Sequence, residues 1–198
     1  MNKKDTVVFD LDGTLLDTLE DLKNSVNYAM TQCGYPEHTL DEVRRYVGNG
    51  ILLLMQRAIP EGKNDPNFDK AFTLFKEHYG KHCNDTTKPY AGIMELLHTL
   101  KENNIKIAIV SNKADFAVKE LNAIYFKDLI LVAIGEKESE GIRKKPAPDT
   151  VIEALKQLGS TAENSVYIGD SDVDIKTARN SGMDEILRDW GFRGEEFL

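Results

Sequence analysis

The spacing of hydrophobic residues changes character along this chain. Residues 7–9 are an unbroken Val-Val-Phe run, β-branched and aromatic, which predicts a short buried strand. From 17 to about 85 the pattern is helical throughout, with no strand candidate. Leu19, Leu22, Val26 and Met30 recur every three or four residues and Gly34 stops them, predicting a helix over 17–32. Residues 40–47 form a second helical segment, ending at Gly48-Asn49-Gly50, and residues 51–59 a third, ending at Pro60. A fourth spans 67–83, with Phe68, Phe72, Phe75 and Tyr79 on one face. From 91 onward helix and strand alternate. Ile93, Leu96, Leu97 and Leu100 make an amphipathic helix closed by Asn103-Asn104. Residues 105–110 then read as a strand ending at Ser111-Asn112-Lys113, with a helix over 114–123 and a strand over 129–134. A charged loop, 135–145, leads to Pro146 and to a helix carrying Val151, Ile152, Leu155 and Leu158 that ends at Gly159. Residues 166–168 form a strand ending at Gly169-Asp170, followed by a helix from about 172 to Gly182 and a last strand over 185–187.

Alternating strands and helices predict an α/β fold, a Rossmann-like parallel sheet with helices on both faces. The opening strand must join that sheet, so the all-helical block is an inserted cap domain. The expected division is 1–16 with 86–198 as the core and 17–85 as the cap. Parallel sheets bind ligands at the carboxyl ends of their strands. Those ends carry Asp10 and Asp12, then Ser111, then Asp170, and the insert leaves from the same edge.

Composition narrows the class. A chain of 198 residues, 41% hydrophobic and 29% charged, is ordinary for a globular protein. A net charge of -8 argues against nucleic acid or anionic membrane as the main partner. Only Cys33 and Cys83 are present, so no disulfide framework is expected. No apolar run is long enough for a signal or spanning segment, and a cytoplasmic location is expected.

Two clusters carry candidate chemistry. Asp10 and Asp12 crowd the end of a buried strand, and Gly169-Asp170-Ser171-Asp172-Val173-Asp174 places three acids within five residues of another. Crowded carboxylates repel unless a cation or a shared proton relieves them. Helix capping explains one of Ser171 and Asp172 but not all three acids. The pattern suits a magnesium site shared by carboxylates and a phosphate. Ser111, ending a strand and opening a helix, reads either as a helix cap or as a phosphate contact. Lys144 and Lys145 both precede Pro146, and spacing does not choose between them.

The set Asp10-Leu11-Asp12-Gly13-Thr14, Ser111, Lys145-Pro146 and Gly169-Asp170-Ser171-Asp172-Val173-Asp174 resembles, in order and separation, the four motifs of the haloacid dehalogenase-like hydrolase superfamily. The helical insert resembles that superfamily's small cap. Val47-Gly48-Asn49-Gly50 and Trp190-Gly191-Phe192-Arg193 resemble its phosphoglycolate phosphatase branch. The resemblance implies a magnesium-dependent phosphomonoester hydrolase. Asp10 would be the nucleophile that forms an aspartyl-phosphate, and Asp12 the general acid and base. It further implies that magnesium is held by the Asp10 side chain, the Asp12 carbonyl and Asp170, with Asp174 behind them. Ser111, Asn112, Lys145, Gly13 and Thr14 would bind the phosphoryl group, and family position selects Lys145 over Lys144. Gly48, Asn49 and Gly50 are expected to contribute to substrate choice, with Arg44, Arg45, Arg57 and Lys113 as further candidates for a substrate carboxylate. The expected partner is a small phosphorylated metabolite, phosphoglycolate first, with the chain as monomer or homodimer. Alternatives are a pyrophosphatase, a nucleotidase, a β-phosphoglucomutase-like enzyme or a regulatory binding protein. His38, His78, His82 and His98 show no metal-like pattern. Related chains usually continue beyond Gly194-Glu195-Glu196-Phe197-Leu198 with another strand and helix, so one edge of the sheet is expected to be less covered.

Overall fold

The computed structural model describes residues 4–188 and 190–192. The chain forms two compact units, one of residues 1–16 with 89–198 and one of residues 17–88. In chain order the elements are β1 (Thr6–Phe9), β2 (Leu16–Asp17), α1 (Leu19–Gln32), α2 (Leu40–Tyr46), α3 (Ile51–Ala58), α4 (Phe68–His82) and β3 (Lys88–Pro89). There follow α5 (Ile93–Glu102), β4 (Lys106–Ala114), α6 (Asp115–Tyr125), β5 (Val132–Glu136), α7 (Asp149–Leu158), β6 (Ser165–Gly169), α8 (Asp172–Ser181) and β7 (Asp184–Leu187).

The first unit is α/β. Its five strands run in the order β5-β4-β1-β6-β7, and every neighbouring pair is parallel. Strands buried on both faces must be apolar on both, which is why β1 is a continuous Val-Val-Phe run rather than an alternating one. Phe9, Ile107 and Ile109 meet Ile93 and Leu97 of α5 and Val118 and Leu121 of α6 on one face. Val8, Ala108, Val110 and Tyr167 meet Val151, Ala154 and Leu155 of α7 and Ala178 of α8 on the other. Each such buried side chain contributes about 1.5–3 kcal/mol relative to exposure. The face of α7 differs from the expected one: Thr150, Val151, Ala154 and Leu155 are buried, while Ile152 is 56% exposed.

Three strand boundaries move for identifiable reasons. β4 does not stop at 110 but continues past a register shift to Ala114, which pairs with Glu136 of β5. Ser111 therefore lies inside a strand and does not cap a helix; Ala114 precedes α6 instead. β5 starts at Val132 rather than 129, because the amides of Leu129 and Ile130 both donate to the carbonyl of Phe126 in a turn after α6. Asp17, expected to open the first helix, instead ends the short strand β2, and residues 88–89, for which no element was expected, form β3, so α1 begins at Leu19.

The second unit is helical. Leu22, Val26 and Met30 of α1, Leu54 and Met55 of α3 and Phe75 and Tyr79 of α4 are buried, and α1 lies against α4 and α2. Thr39 and Glu42 form a reciprocal capping box at the start of α2. The unit runs to residue 88, three residues further than expected. Asp21 explains the difference. Its buried carboxylate accepts from the amides of Thr86 and Thr87 (3.0 and 2.9 Å) and from both hydroxyls (2.6 and 2.7 Å), tying 86–87 to α1. Neither Cys33 nor Cys83 is in a disulfide. Among the described residues no helix is long and apolar enough to cross a membrane.

Candidate active site

Strand register places the chemistry. Phe9 of β1 pairs with Ile109 of β4 and Ile168 of β6, so the positions that follow in each chain segment, Asp10, Val110-Ser111 and Gly169-Asp170, lie level with one another at one edge of the sheet. The order places β1 where successive strands depart in opposite directions, β4 and β5 one way and β6 and β7 the other. Such a switch point is where open parallel sheets form a crevice. The Asp10 amide still donates to the carbonyl of Ile168 at 2.9 Å, so its side chain is held at the sheet's mouth. The chain then turns: the amides of Thr14, Leu15 and Leu16 all donate to the carbonyl of Leu11. Gly13 has φ +80°, and a Cβ there would stand 2.7 Å from Oδ2 of Asp170. Glycine is required on both counts.

Asp10, Asp170 and Asp174 come together, each offering an oxygen within 4.8 Å of the others. Lys145 joins them. Its ammonium donates to Oδ1 of Asp10 at 2.7 Å, to Oδ1 of Asp174 at 2.8 Å and to the hydroxyl of Tyr167 at 3.0 Å. The structure separates the two lysines that spacing could not: Lys145 is 4% exposed, whereas the Lys144 side chain is 34% exposed and pairs with Glu138.

Each carboxyl sits in a different electrostatic environment. Burial raises Asp10 to about 7, helped by the neighbouring carboxylates and opposed by Lys145. Burial likewise raises Asp170 to about 6, with Asp174 adding and Arg188 opposing. Burial also acts on Asp174, but there the Lys145 charge and a set of hydrogen bonds outweigh it and hold the carboxyl below its ordinary value. Those bonds come from Lys145 and Tyr167 to Oδ1, and from the Ser171 hydroxyl and the amides of Ser171 and Asp170 to Oδ2. Ser171 is the N-cap of α8 and forms a reciprocal box with Asp174. Asp172 points elsewhere and pairs with Lys176 at 3.0 Å. Burial lowers the Lys145 ammonium, yet Asp10 and Asp174 reverse this and keep it firmly charged.

Ser111, Asn112 and Asp12 have local partners, whereas the buried Thr14 hydroxyl forms no hydrogen bond with a described residue. Ser111 is buried, and its hydroxyl accepts from the amide of Lys113 at 3.2 Å. Asn112 donates to the carbonyl of Lys145 at 3.0 Å, which ties β4 to the lysine loop. Thr14 is fully buried. Asp12 pairs with the ammonium of Lys113 at 2.9 Å. Lys113, a candidate for a substrate carboxylate, is buried against that acid. Its signal was the two-residue step from Ser111 on one strand, which sends both side chains to the same face. Tyr167 and Arg188 were missed altogether; a tyrosine in a strand and an arginine after one carry no distinctive pattern.

In the helical unit, Gly48, Asn49 and Gly50 link α2 to α3 with φ of 114°, 65° and 88°. Arg57 donates to the carbonyls of Tyr46 and Gly48, and Arg44 pairs with Asp41, so both have partners within that unit. His78 stacks between Tyr28 and His82, and His38 meets the carbonyl of Ala58. Arg193 and the 194–198 tail lie outside the described residues.

The donor set fits a hard divalent cation. It offers carboxylate oxygens without thiolate or imidazole, and two of the acids are raised to about 7 and about 6 chiefly by burial, with the neighbouring carboxylates adding, and a cation would oppose both effects. Asp174 spends its oxygens on five hydrogen bonds, so Asp10 and Asp170 are the side chains left to bind, with Asp174 fixing the loop behind them.

Comparison with known proteins extends this picture over the whole chain. The Aquifex aeolicus phosphoglycolate phosphatase is 32% identical over 190 residues, covering 94% of this chain and 85% of that protein. The Psychrobacter arcticus phosphoglycolate phosphatase is 31% identical over 197 residues, covering 96% and 85%. A crystal structure of a Lactobacillus delbrueckii subsp. bulgaricus protein superposes with a TM-score of 0.93 at 38% identity, covering 99% of this chain and 90% of that one. The family profile described as haloacid dehalogenase-like hydrolase matches residues 7–187, from the first residue of the Val-Val-Phe run to the end of β7, and the chain belongs to that family.

Proposed function

We propose that this protein is a magnesium-dependent phosphatase that hydrolyses phosphate monoesters through an aspartyl-phosphate, with phosphoglycolate as the leading substrate. The observation that carries the reading is the buried Asp10, held at the end of β1 by Lys145 and crowded by Asp170 and Asp174. The relatives named phosphoglycolate phosphatase support the substrate, since they match this chain over nearly its full length.

In the reaction, an Asp10 carboxylate oxygen attacks phosphorus while the ester P–O bond breaks. Asp12 gives its proton to the leaving oxygen. Asp12 then takes a proton from water as that water attacks phosphorus; the Asp10–phosphorus bond breaks and inorganic phosphate leaves. Lys113 fixes the Asp12 carboxylate through its 2.9 Å contact. Lys145 holds Asp10 in line and neutralises charge beside it. Ser111, Asn112, Gly13 and Thr14 surround the phosphoryl oxygens. The Asp10 side chain, the Asp12 carbonyl and Asp170 would hold magnesium, which would supply charge neutralisation at those oxygens. We assign substrate choice to the helical unit, through the positive-φ turn Gly48-Asn49-Gly50.

Asp10→Asn tests the core of this reading. The variant is expected to keep its circular dichroism and to lose at least roughly 10³-fold in phosphate release from an aryl phosphate with magnesium, the loss typical of removing a nucleophile. Turnover within about tenfold of wild type would overturn the assignment. A panel of phosphate esters, assayed with and without chelator, tests the substrate: phosphoglycolate should show the highest kcat/KM.

A further inference from the structure

Arg188 follows β7 and is nearly sealed from solvent, with 3% of its surface exposed. Its guanidinium carbon lies 5.3 Å from the centre of the Tyr90 ring and 4.7 Å from that of Trp190. None of its three guanidinium nitrogens forms a hydrogen bond with a described residue. A buried cation without hydrogen bonds is costly and needs a compensating charge. Among the described residues, the carboxylate in ion-pair range is that of Asp170, 3.7 Å away.

The surrounding loop is shaped to bring the two together. A Cβ on Gly191 would stand 2.1 Å from the Arg188 guanidinium, 2.5 Å from the Gly13 carbonyl and 2.6 Å from Oδ2 of Asp170, so only glycine lets this loop close. The next residue, Phe192, donates its amide to the same Asp170 oxygen at 3.3 Å.

Lys113 is taken by Asp12, and the two other buried cations among the described residues divide the three acids. Lys145 hydrogen-bonds Asp10 and Asp174 and occupies an oxygen of each. Arg188 serves Asp170 from 3.7 Å, beyond hydrogen-bond reach, and so offers charge without consuming a lone pair. Asp170 stays able to donate to a metal. With both cations present the three carboxylates keep one net negative charge; without Arg188 they would keep two.

We propose that Arg188 is a positioning residue that sets the affinity of the acid cluster for its divalent cation, holding Asp170 in place while weakening the cluster's pull. The inference rests on the magnesium reading of the site. Its purpose is chemical: a metal held less tightly exchanges more readily, and a cluster with less negative charge repels an anionic phosphate less.

The test is magnesium alone, titrated into the metal-free protein by calorimetry at pH 8, for wild type and for Arg188→Met, Arg188→Gln and Arg188→Lys. Methionine keeps apolar bulk between the two rings and removes the charge. The Met and Gln variants are expected to bind magnesium at least threefold more tightly than wild type, and Lys to stay within twofold of it. Unchanged or weaker binding in folded Met or Gln variants would overturn the proposal. A second measurement needs no substitution. The Arg188 Nε–H resonance of the wild-type protein should shift along the magnesium titration with the calorimetric midpoint, and its failure to move would also overturn the proposal. If wild type binds no magnesium, the magnesium reading itself fails. If wild type binds and the variants match it, only the role of Arg188 fails.

Discussion

At the scale of single residues, the site is governed by competition between burial and charge. Asp10 and Asp170, near 7 and 6, are protonated more readily than ordinary carboxyls. A raised carboxyl contributes stability that is complete below its unfolded value and is lost as pH rises through the folded one. The metal-free protein therefore loses this contribution between about pH 4 and pH 7, the opposite of most carboxylates. A cation must displace the same protons. Magnesium affinity is expected to weaken as pH falls from 8 to 6, by up to about tenfold per unit for each proton displaced. Calorimetry in two buffers of different ionisation enthalpy checks this through the protons released; a pH-independent affinity would refute it. Gly13→Ala belongs here as well. The new methyl group meets Asp170 at 2.7 Å on a backbone with φ +80°, so at least a tenfold loss of kcat/KM is expected, about what 1–2 kcal/mol of strain and misplacement produces. Wild-type kinetics in the folded variant would show that this turn tolerates a side chain.

At the scale of elements, long periodic segments were legible and their ends were not. α1 could be read from Leu19, Leu22, Val26 and Met30 because one stripe of residues meets one apolar core. β4 was read short, since Ser111-Asn112-Lys113 looks like a strand end. Pairing of Ala114 with Glu136 beyond a register shift keeps it extended, and no local propensity announces such a partner. The end of the helical unit was misplaced for a related reason: Thr86 and Thr87 lie 65 and 66 residues from Asp21 in sequence and are joined to it only in space. Asp21→Ala removes the acceptor for two amides and two hydroxyls. It is expected to destabilise the helical unit by about 2–3 kcal/mol, the range for hydrogen bonds to a buried charge. Amide exchange along α1 and at 86–87 measures this; unchanged protection would mean that the segment is held by something else.

At the scale of the molecule, a chain with net charge -8 concentrates part of that charge at one buried point of its α/β unit. A ligand that binds only the folded state stabilises it by mass action. At a concentration of 100 times its dissociation constant, magnesium should add about 2.7 kcal/mol, a rise of roughly 5–10 °C in Tm for a chain of this size. Chelator should reverse it. The Asp10→Asn, Asp170→Asn double variant should show no shift, and a full shift there would place the metal elsewhere.

The sequence by itself determined the class of fold, the order of its elements and which residue types could do chemistry, because hydrophobic period and strand-end polarity are local properties written directly in the chain. It also marked Asp10, Asp12, Asp170 and Asp174 as anomalous, since acids at the ends of buried strands have no role in packing. Only the tertiary structure decided who stands beside whom. It buried Lys145, the lysine that the family resemblance had selected, beside Asp10, gave Lys113 to Asp12, spent Asp174 on its own loop, and brought Tyr167 and Arg188 to the acids. Those outcomes follow from strand register and desolvation, which depend on residues distant in sequence and cannot be read from any one of them.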